Sequence, residues 1–165
     1  MLKKLLLLSL ICGSSCSIWA FDVEHVKTTY DNLNEESKLK FKAEFKGLGW
    51  LSTTYSNEFE TFTNAGYVKP KGYGITEAWI KRVVINDITK DGLSLNDYTM
   101  YLNQYNCDEK SFKSIMYTDY SYKTGKVLNS YSYPSYSQNF KPVVPESIGA
   151  SELEAICLAS YIISN

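Results

Sequence analysis

The segments NCDEK at residues 106–110 and VVPESIGASELEAIC at residues 143–157 decide the fold, because each carries one cysteine and a tyrosine-rich hairpin separates them. The second segment has the polar start and the apolar stripe of a helix. We therefore predict a disulfide between Cys107 and Cys157. It would tie the end of one strand to a C-terminal helix that lies across a sheet.

Residues 1–20 have the features of a secretory signal peptide. Lys3 and Lys4 provide the positive start, residues 5–12 the apolar core, and Ala20 a small residue at the cleavage position. This apolar run is shorter than the ~20 residues that a membrane-spanning helix needs. No later stretch is long enough either, so we expect an exported protein without a transmembrane segment. The alternative is a buried N-terminal core helix.

Cys16 raises a second alternative, lipidation of the exported protein. It follows the small residues Gly13-Ser14-Ser15, but it lacks the apolar residue that bacterial lipoproteins carry three places before their lipidated cysteine. Plain cleavage after Ala20 is therefore the favoured interpretation, with lipidation at Cys16 as the minority one.

The charge balance is nearly neutral, with 17 basic and 18 acidic residues in the whole chain. Loss of residues 1–20 removes two of the lysines and makes the balance slightly more acidic. Such a chain has no general attraction for nucleic acid, so we expect no nucleic-acid partner. Of the four cysteines, Cys107 and Cys157 would remain, and an oxidising compartment favours their pairing.

Fourteen tyrosines and short runs of alternating residues indicate a sheet rather than a helix bundle. The predicted strands cover residues 50–55, 59–62, 75–86, 98–107, 113–122 and 127–133. Asn64-Ala65-Gly66 is predicted as a turn, and residues 123–126 as a hairpin turn. Short turns between consecutive strands imply an antiparallel meander. The predicted fold is thus α+β: a small antiparallel sheet of about six strands with a C-terminal α-helix packed on one face and tethered by the disulfide.

Residues 21–47 form an N-terminal arm whose conformation the pattern leaves open. Residues 38–46 alternate strictly between lysine or glutamate and apolar residues, as in a strand. Asn34 before Glu35-Glu36, with Gly47 as a stop, would equally make a capped helix. The C-terminal helix has two candidate starts, Ser147 and Ser151. Its apolar stripe, expected to face the sheet, is formed by Leu153, Ile156, Cys157 and Tyr161.

Groups that could support catalysis are sparse. His25 is the only histidine and lies in the N-terminal arm, and both mature cysteines are assigned to the disulfide. No cysteine and histidine spacing suits zinc, and no Asp-rich loop suits calcium. We therefore predict a protein that is not an enzyme, with no catalytic residue, no metal site and no cofactor.

Tyrosines along one hairpin and its exit are the one feature that suggests a binding surface, since tyrosine combines a large contact area with a polar tip. Part of the set is expected in the core or in cross-strand packing, and a tyrosine-rich face also suits a homodimer interface. The candidate residues are Tyr117, Tyr120, Tyr122, Tyr131, Tyr133 and Tyr136.

From about Trp50 onward the chain resembles the surface-adhesin protein E family of Gram-negative bacteria. The resemblance is carried by segment 78–81 (AWIK), the strand that ends at Cys107, the hairpin through residues 122–127, and segment 144–149 (VPESIG) leading to Cys157. It implies an adhesin E-like domain over residues 48–165, with a helix tethered to the concave face of the sheet. It also implies an envelope location, a dimer, and binding to host vitronectin, laminin or plasminogen.

One difference from the family pattern bears on function. The adhesin that names the family has a basic stretch before its first paired cysteine, tied to host-protein binding, whereas residues 91–106 here contain no lysine or arginine. Two hypotheses follow: an exported adhesin on the outer cell surface, and a periplasmic structural or interaction module with the same fold.

Overall fold

The structure is a computed structural model that describes residues 22–86 and 92–165. The predicted signal peptide and Cys16 lie outside the described residues. The helices are α1 (Val23–Asp31), α2 (Glu35–Lys46) and α3 (Ile148–Ser164), with a short 3₁₀ turn at Ser135–Ser137. The strands are β1 (Leu51–Tyr55), β2 (Phe59–Gly72), β3 (Ile75–Val84), β4 (Tyr98–Asn106), β5 (Ser111–Tyr120), β6 (Val127–Ser132) and β7 (Lys141–Pro142).

The strands form one antiparallel sheet in the order β1-β2-β3-β4-β5-β6, and the short β7 pairs with the start of β5. Strands β1 to β6 therefore each lie beside their neighbours in sequence, as expected for strands joined by short turns. This confirms the predicted α+β fold with its meander and C-terminal helix. The strand boundaries agree with the prediction to within a few residues except in β2.

The predicted turn at Asn64-Ala65-Gly66 is wrong, since β2 continues through these residues to Gly72. The register with β3 moves from Thr63–Ile80 to Val68–Ala78, so β2 has three more residues than β3 between these pairs, and they bulge out of the ladder. Asn64 Oδ1 accepts a hydrogen bond from Gly66 N–H at 2.8 Å. This kind of contact is typical of turns, but here it lies within a bulge. The chain reverses instead between Gly72 and Gly74, which both have positive φ.

Helix α3 lies across the sheet and is covalently fixed to it. It begins after Ser147, whose Oγ accepts a hydrogen bond from Ala150 N–H at 3.2 Å. The predicted Cys107–Cys157 disulfide is present, with 5.7 Å between the Cα atoms. The main core forms between α3 and strands β2 to β4; its fully buried members include Ala78, Ile80 and Ile156.

The N-terminal segment is helical, which decides between the two interpretations of residues 38–46. Asn34 caps α2 by accepting a hydrogen bond from Ser37 N–H. Phe41 and Phe45, four residues apart, lie on one side of the helix with their rings 6.0 Å apart. They pack against a second buried cluster, which is formed by Tyr30, Leu158 and Ile162. The predicted boundary between residues 47 and 48 stays a prediction, although α1 and α2 pack on α3.

Helix α3 is buried on two sides, and this corrects the prediction for Tyr161. Leu153, Ile156 and Cys157 face the sheet as expected. Tyr161 instead contacts α1, where its hydroxyl donates to Asp31 Oδ1 at 2.6 Å. A helix that is apolar nearly all round is buried on more than one side, and α1 and α2 supply that second cover.

Candidate functional site

Four tyrosines come together on the side of the sheet that carries α3, where β4, β5 and β6 extend beyond the helix. We call Tyr101, Tyr117, Tyr131 and Tyr133 the tyrosine cluster. Tyr101, Tyr117 and Tyr131 are direct cross-strand partners on β4, β5 and β6, so they point to the same face. Tyr133 follows β6 and continues its ladder, because its N–H donates to Ile115 C=O at 2.9 Å.

The rings of the cluster contact one another in sequence across the sheet. Ring centroids are 6.0 Å apart for Tyr101 and Tyr117 and 5.9 Å for Tyr117 and Tyr131. Tyr131 and Tyr133 meet edge to face at 5.1 Å. Such contacts hold aromatic side chains in place and leave a preformed surface of apolar rings with polar tips.

Exposure rises across the cluster from the helix toward the sheet edge. Tyr101 and Tyr117 are half-buried, whereas Tyr131 is 46% exposed on the edge strand. The Tyr117 hydroxyl accepts a hydrogen bond from Asn129 Nδ2 at 3.3 Å. The outer part of the cluster is therefore accessible to a partner.

An ion pair joins the inner end of the cluster to α3. The Arg82 guanidinium lies 5.0 Å from the Tyr101 ring centroid, and Arg82 Nη2 donates to Glu152 Oε1 at 2.7 Å. Glu152 is only 2% exposed. Burial opposes ionisation of Arg82, but the charge and the hydrogen bond of Glu152 leave its pKa above the usual value. Arg82 therefore contacts both Tyr101 and the helix residue Glu152.

Tyr105 is a further tyrosine with a polar contact, and it is buried beneath the helix. Its hydroxyl accepts a hydrogen bond from Asn103 Nδ2 at 3.1 Å, and both residues are buried. Burial raises the pKa of Tyr105, and the negative charge of Glu152 raises it further. Burial likewise raises the pKa of Tyr101. Both phenols are therefore neutral hydrogen-bonding groups at neutral pH.

The six tyrosines predicted as a binding surface do not form one site. Tyr117, Tyr131 and Tyr133 belong to the tyrosine cluster. Tyr120 lies on the opposite face of the sheet, where it stacks on Tyr98 at 5.1 Å between centroids. Tyr122 and Tyr136 are exposed, on the β5–β6 turn and on the 3₁₀ turn respectively. The predicted surface thus divides between two faces and two loops.

Tyr101, Arg82 and Glu152 were not predicted as part of the site. A signal for two of them exists in the sequence: Arg82 continues the alternation of Ala78 and Ile80, which face the helix. Glu152 precedes Ile156 by one helical turn and so shares its stripe. A charge on each of two buried stripes suggests an ion pair between them.

Three further kinds of feature concern the described part of the chain: a histidine site, a metal site and a membrane-spanning helix. His25 is exposed on α1. No group of three or more His, Cys, Asp or Glu residues within 22–86 and 92–165 could hold a metal ion. Among the helices of these two ranges, none combines the length with the apolar composition that a membrane span requires.

Comparison with protein families adds one finding to this geometry. The family model described as surface-adhesin protein E matches residues 50–158. The match begins near the start of β1 and ends within α3, so it covers all seven strands, the disulfide and the tyrosine cluster. No curated protein and no solved structure shows significant similarity to the chain.

Proposed function

The chain belongs to the surface-adhesin protein E family, and from this premise we propose an exported, non-enzymatic adhesin that binds host proteins through the tyrosine cluster. The observation that carries the proposal is the preformed row of rings, open to solvent at Tyr131. Tyrosine is enriched among residues that dominate binding energy at protein interfaces. By the resemblance to the family, the ligands are vitronectin, laminin or plasminogen on the host side.

Binding of the purified protein to immobilised vitronectin, laminin and plasminogen tests this proposal. The Tyr131→Ser variant should weaken binding to its ligand by about tenfold or more, since truncation of a central interface tyrosine costs on the order of 2 kcal/mol. Tyr55→Ser is the matched control, because Tyr55 is an exposed tyrosine on β1 at the opposite edge of the sheet. Equal binding by the two variants would refute the assignment of the surface.

A homodimer is a competing use of the same surface, since aromatic sheet faces also associate with each other. Sedimentation velocity distinguishes the two uses. If the dimer forms through the tyrosine cluster, the Tyr131→Ser protein should dissociate into monomers at a higher protein concentration than the parent does. The Tyr55→Ser protein should sediment as the parent does. A monomeric parent protein would leave the cluster for other partners.

The second candidate function is a periplasmic structural or interaction module. It is favoured by the absence of lysine and arginine from residues 91–106, where the adhesin that names the family is basic. The two candidates differ in location: the first requires exposure at the outer cell surface of a Gram-negative bacterium, and the second requires retention in the periplasm.

A further inference from the structure

Strand β6 is an open edge of the sheet. It is the last strand in the sheet order, so β5 is its one partner among the described strands. All six residues of β6 are exposed. The next strand of the chain, β7, pairs with Ser111 and Phe112 of β5 rather than with β6. Within the described residues, no strand pairs with the outer side of β6. We call the outer backbone of residues 129–133 the β6 edge.

The hydrogen-bond pattern shows which backbone groups of the β6 edge point outward. Tyr133 N–H donates to Ile115 C=O at 2.9 Å, toward β5. Residues of an antiparallel ladder alternate between bonding to the partner strand and pointing away from it. Tyr131 therefore also bonds toward β5, whereas the N–H and C=O groups of Ser130 and Ser132 point away. The β6 edge thus offers two donors and two acceptors to an added strand.

The β6 edge lacks the features that usually prevent pairing with another chain. Edge strands are commonly protected by charged residues, proline, bulges or a covering element. The sequence of β6, VLNSYS, contains no charged residue and no proline. Its one bulge is at Leu128, which leaves residues 129–132 in regular register. Strand β1, at the other edge of the sheet, is contacted by α3 and has a bulge at Thr53.

Tyr131 gives the β6 edge an apolar side. It is 46% exposed, and its ring contacts those of Tyr117 and Tyr133 at 5.9 and 5.1 Å between centroids. Residues directly opposite each other on neighbouring strands point to the same face of a sheet. A large apolar side chain opposite Tyr131 on an added strand would therefore continue the row of rings.

Lys123 and Lys126 give the start of β6 a positive charge. Both are exposed, and neither forms an ion pair with any residue that the structure describes. Asp119, which lies opposite Asn129, is engaged within the sheet because it accepts a hydrogen bond from Thr99 Oγ1 at 2.6 Å. A strand added antiparallel to β6 has its C-terminal end beside these lysines. Acidic residues at that end would complement their charge.

The length of the β6 edge determines which partner fits it. Residues 129–133 span roughly 17 Å at about 3.4 Å per residue. Two copies of the chain joined at this edge would contribute about five residues each, whereas a stable interface has roughly 20–30 residues on each side. A short extended segment needs no larger surface, since backbone hydrogen bonds supply its affinity. The β6 edge therefore suits a segment of another protein better than a second copy.

We propose that the β6 edge binds an extended segment of a partner protein as an added antiparallel strand, an inference that rests on the proposed binding function. The backbone of the segment forms hydrogen bonds with Ser130 and Ser132. The segment carries a large apolar side chain opposite Tyr131 and acidic residues at its C-terminal end. Because the tyrosine cluster lies beside the same edge, one segment engages both.

The heptapeptide Thr-Thr-Ile-Thr-Val-Glu-Glu, acetylated and amidated, is a defined probe. In ¹H–¹⁵N NMR titrations of the parent protein it should move the amide signals of Ser130 and Ser132 downfield, because both amides gain hydrogen bonds. With isoleucine facing Tyr131, the N–H groups of the flanking threonines point to β6 and that of isoleucine points away. N-methylation of the threonine after isoleucine should therefore weaken binding about tenfold or more. N-methylation of the isoleucine should change binding less than about twofold.

Ser132→Pro tests the same hydrogen bonds from the protein side. It removes an N–H that points away from β5, so the ladder with β5 remains. Peptide binding should weaken about tenfold or more. Ser132→Ala is the matched control, because it keeps the N–H, and it should bind within about twofold of the parent. Glutamine in place of both peptide glutamates, or the double variant Lys123→Gln/Lys126→Gln, should each weaken binding about threefold.

Three results would count against this inference. Absence of the amide shifts, or equal binding of the two N-methylated peptides, would overturn the proposal. Equal binding of the glutamate and glutamine peptides would overturn the assignment of an acidic C-terminal end. A parent protein that sediments as a dimer, and as a monomer after Ser132→Pro, would assign the β6 edge to a second copy.

These measurements separate the inference from the proposed function. Peptide binding at the β6 edge of a protein that binds no host ligand would refute the proposed function alone. Host binding that depends on Tyr131, but is equal for the Ser132→Pro and Ser132→Ala proteins, would refute the inference alone.

Discussion

Tyr105 makes stability depend on pH at the scale of a single residue. Its phenol is fully buried beneath α3, and burial raises its pKa above the ordinary value of 10.0. The folded chain therefore holds this proton more tightly than the unfolded chain does. This difference contributes to the free energy of unfolding. The contribution is fully present below about pH 10 and is lost as the pH rises above that value.

Urea unfolding of Tyr105→Phe across alkaline pH checks this prediction. The variant should lose about 1 kcal/mol at pH 7 with the hydrogen bond from Asn103. From about pH 10 upward its stability should fall less steeply than that of the parent, by up to ~1.4 kcal/mol per pH unit. Tyr73→Phe, at a fully exposed tyrosine, should follow the parent profile. Parallel profiles for Tyr105→Phe and the parent would contradict the prediction.

Glu152 is the second residue with a large expected effect. Glu152→Gln keeps the shape of the side chain but leaves Arg82 without its carboxylate. Because Arg82 is about one third exposed, we expect a loss of roughly 1.5–3 kcal/mol, less than for a fully buried pair. Chemical denaturation measures this loss. Glu35→Gln, which breaks a pair between an exposed carboxylate and Lys38, should cost about 0.5 kcal/mol or less. A Glu152 effect no larger than the Glu35 effect would show that the ion pair is not structural.

At the scale of elements, the disulfide determines how firmly α3 is held on the sheet. It closes a sequence separation of 50 residues, which the chain-entropy model values at about 4 kcal/mol. Cys107→Ser/Cys157→Ser should therefore unfold at lower urea concentration, with a loss of roughly 2–5 kcal/mol. Peptide mapping of the unreduced parent by mass spectrometry controls for the state of the bond. An unchanged unfolding midpoint would mean that packing alone keeps α3 in place.

The N-terminal helices are the other element whose role can be measured. Leu158 is buried between α3 and the helices α1 and α2. Leu158→Ala should cost about 2–4 kcal/mol, because it removes buried methyl groups and leaves a cavity. Leu39→Ala changes the same residue type at an exposed position of α2 and should have little effect. Equal stabilities for the two variants would show that α1 and α2 contribute little to the core.

At the scale of the whole molecule, location separates the two functional candidates. Protease treatment of intact cells should remove the protein if it is displayed at the outer surface, while a periplasmic marker survives. We expect this result from the adhesin hypothesis. Protection of the protein until the outer membrane is permeabilised would contradict that hypothesis and favour the periplasmic module.

Local sequence features were sufficient to predict much of the architecture. Only two cysteines follow the predicted signal peptide, so their pairing could be predicted without knowledge of the fold. Short turns such as residues 123–126 place consecutive strands side by side, because the connection is too short to reach any other position in the sheet. The polar start before Ile148 and the apolar positions after it mark the C-terminal helix in the same way.

Other features depend on contacts between distant residues. A bulge and a turn use the same local conformation at Asn64, and only pairing with β3 makes β2 continue. The pattern of residues 38–46 suits a strand and a helix, and the packing of Phe41 and Phe45 against the buried cluster around α3 decides for the helix. Alternation along β5 puts Tyr117 and Tyr120 on opposite faces, whereas the bulges in β5 and β6 decide which residues of the neighbouring strands they meet. Alternation within a strand groups side chains by face, but the side to which each face turns is set by where α3 packs.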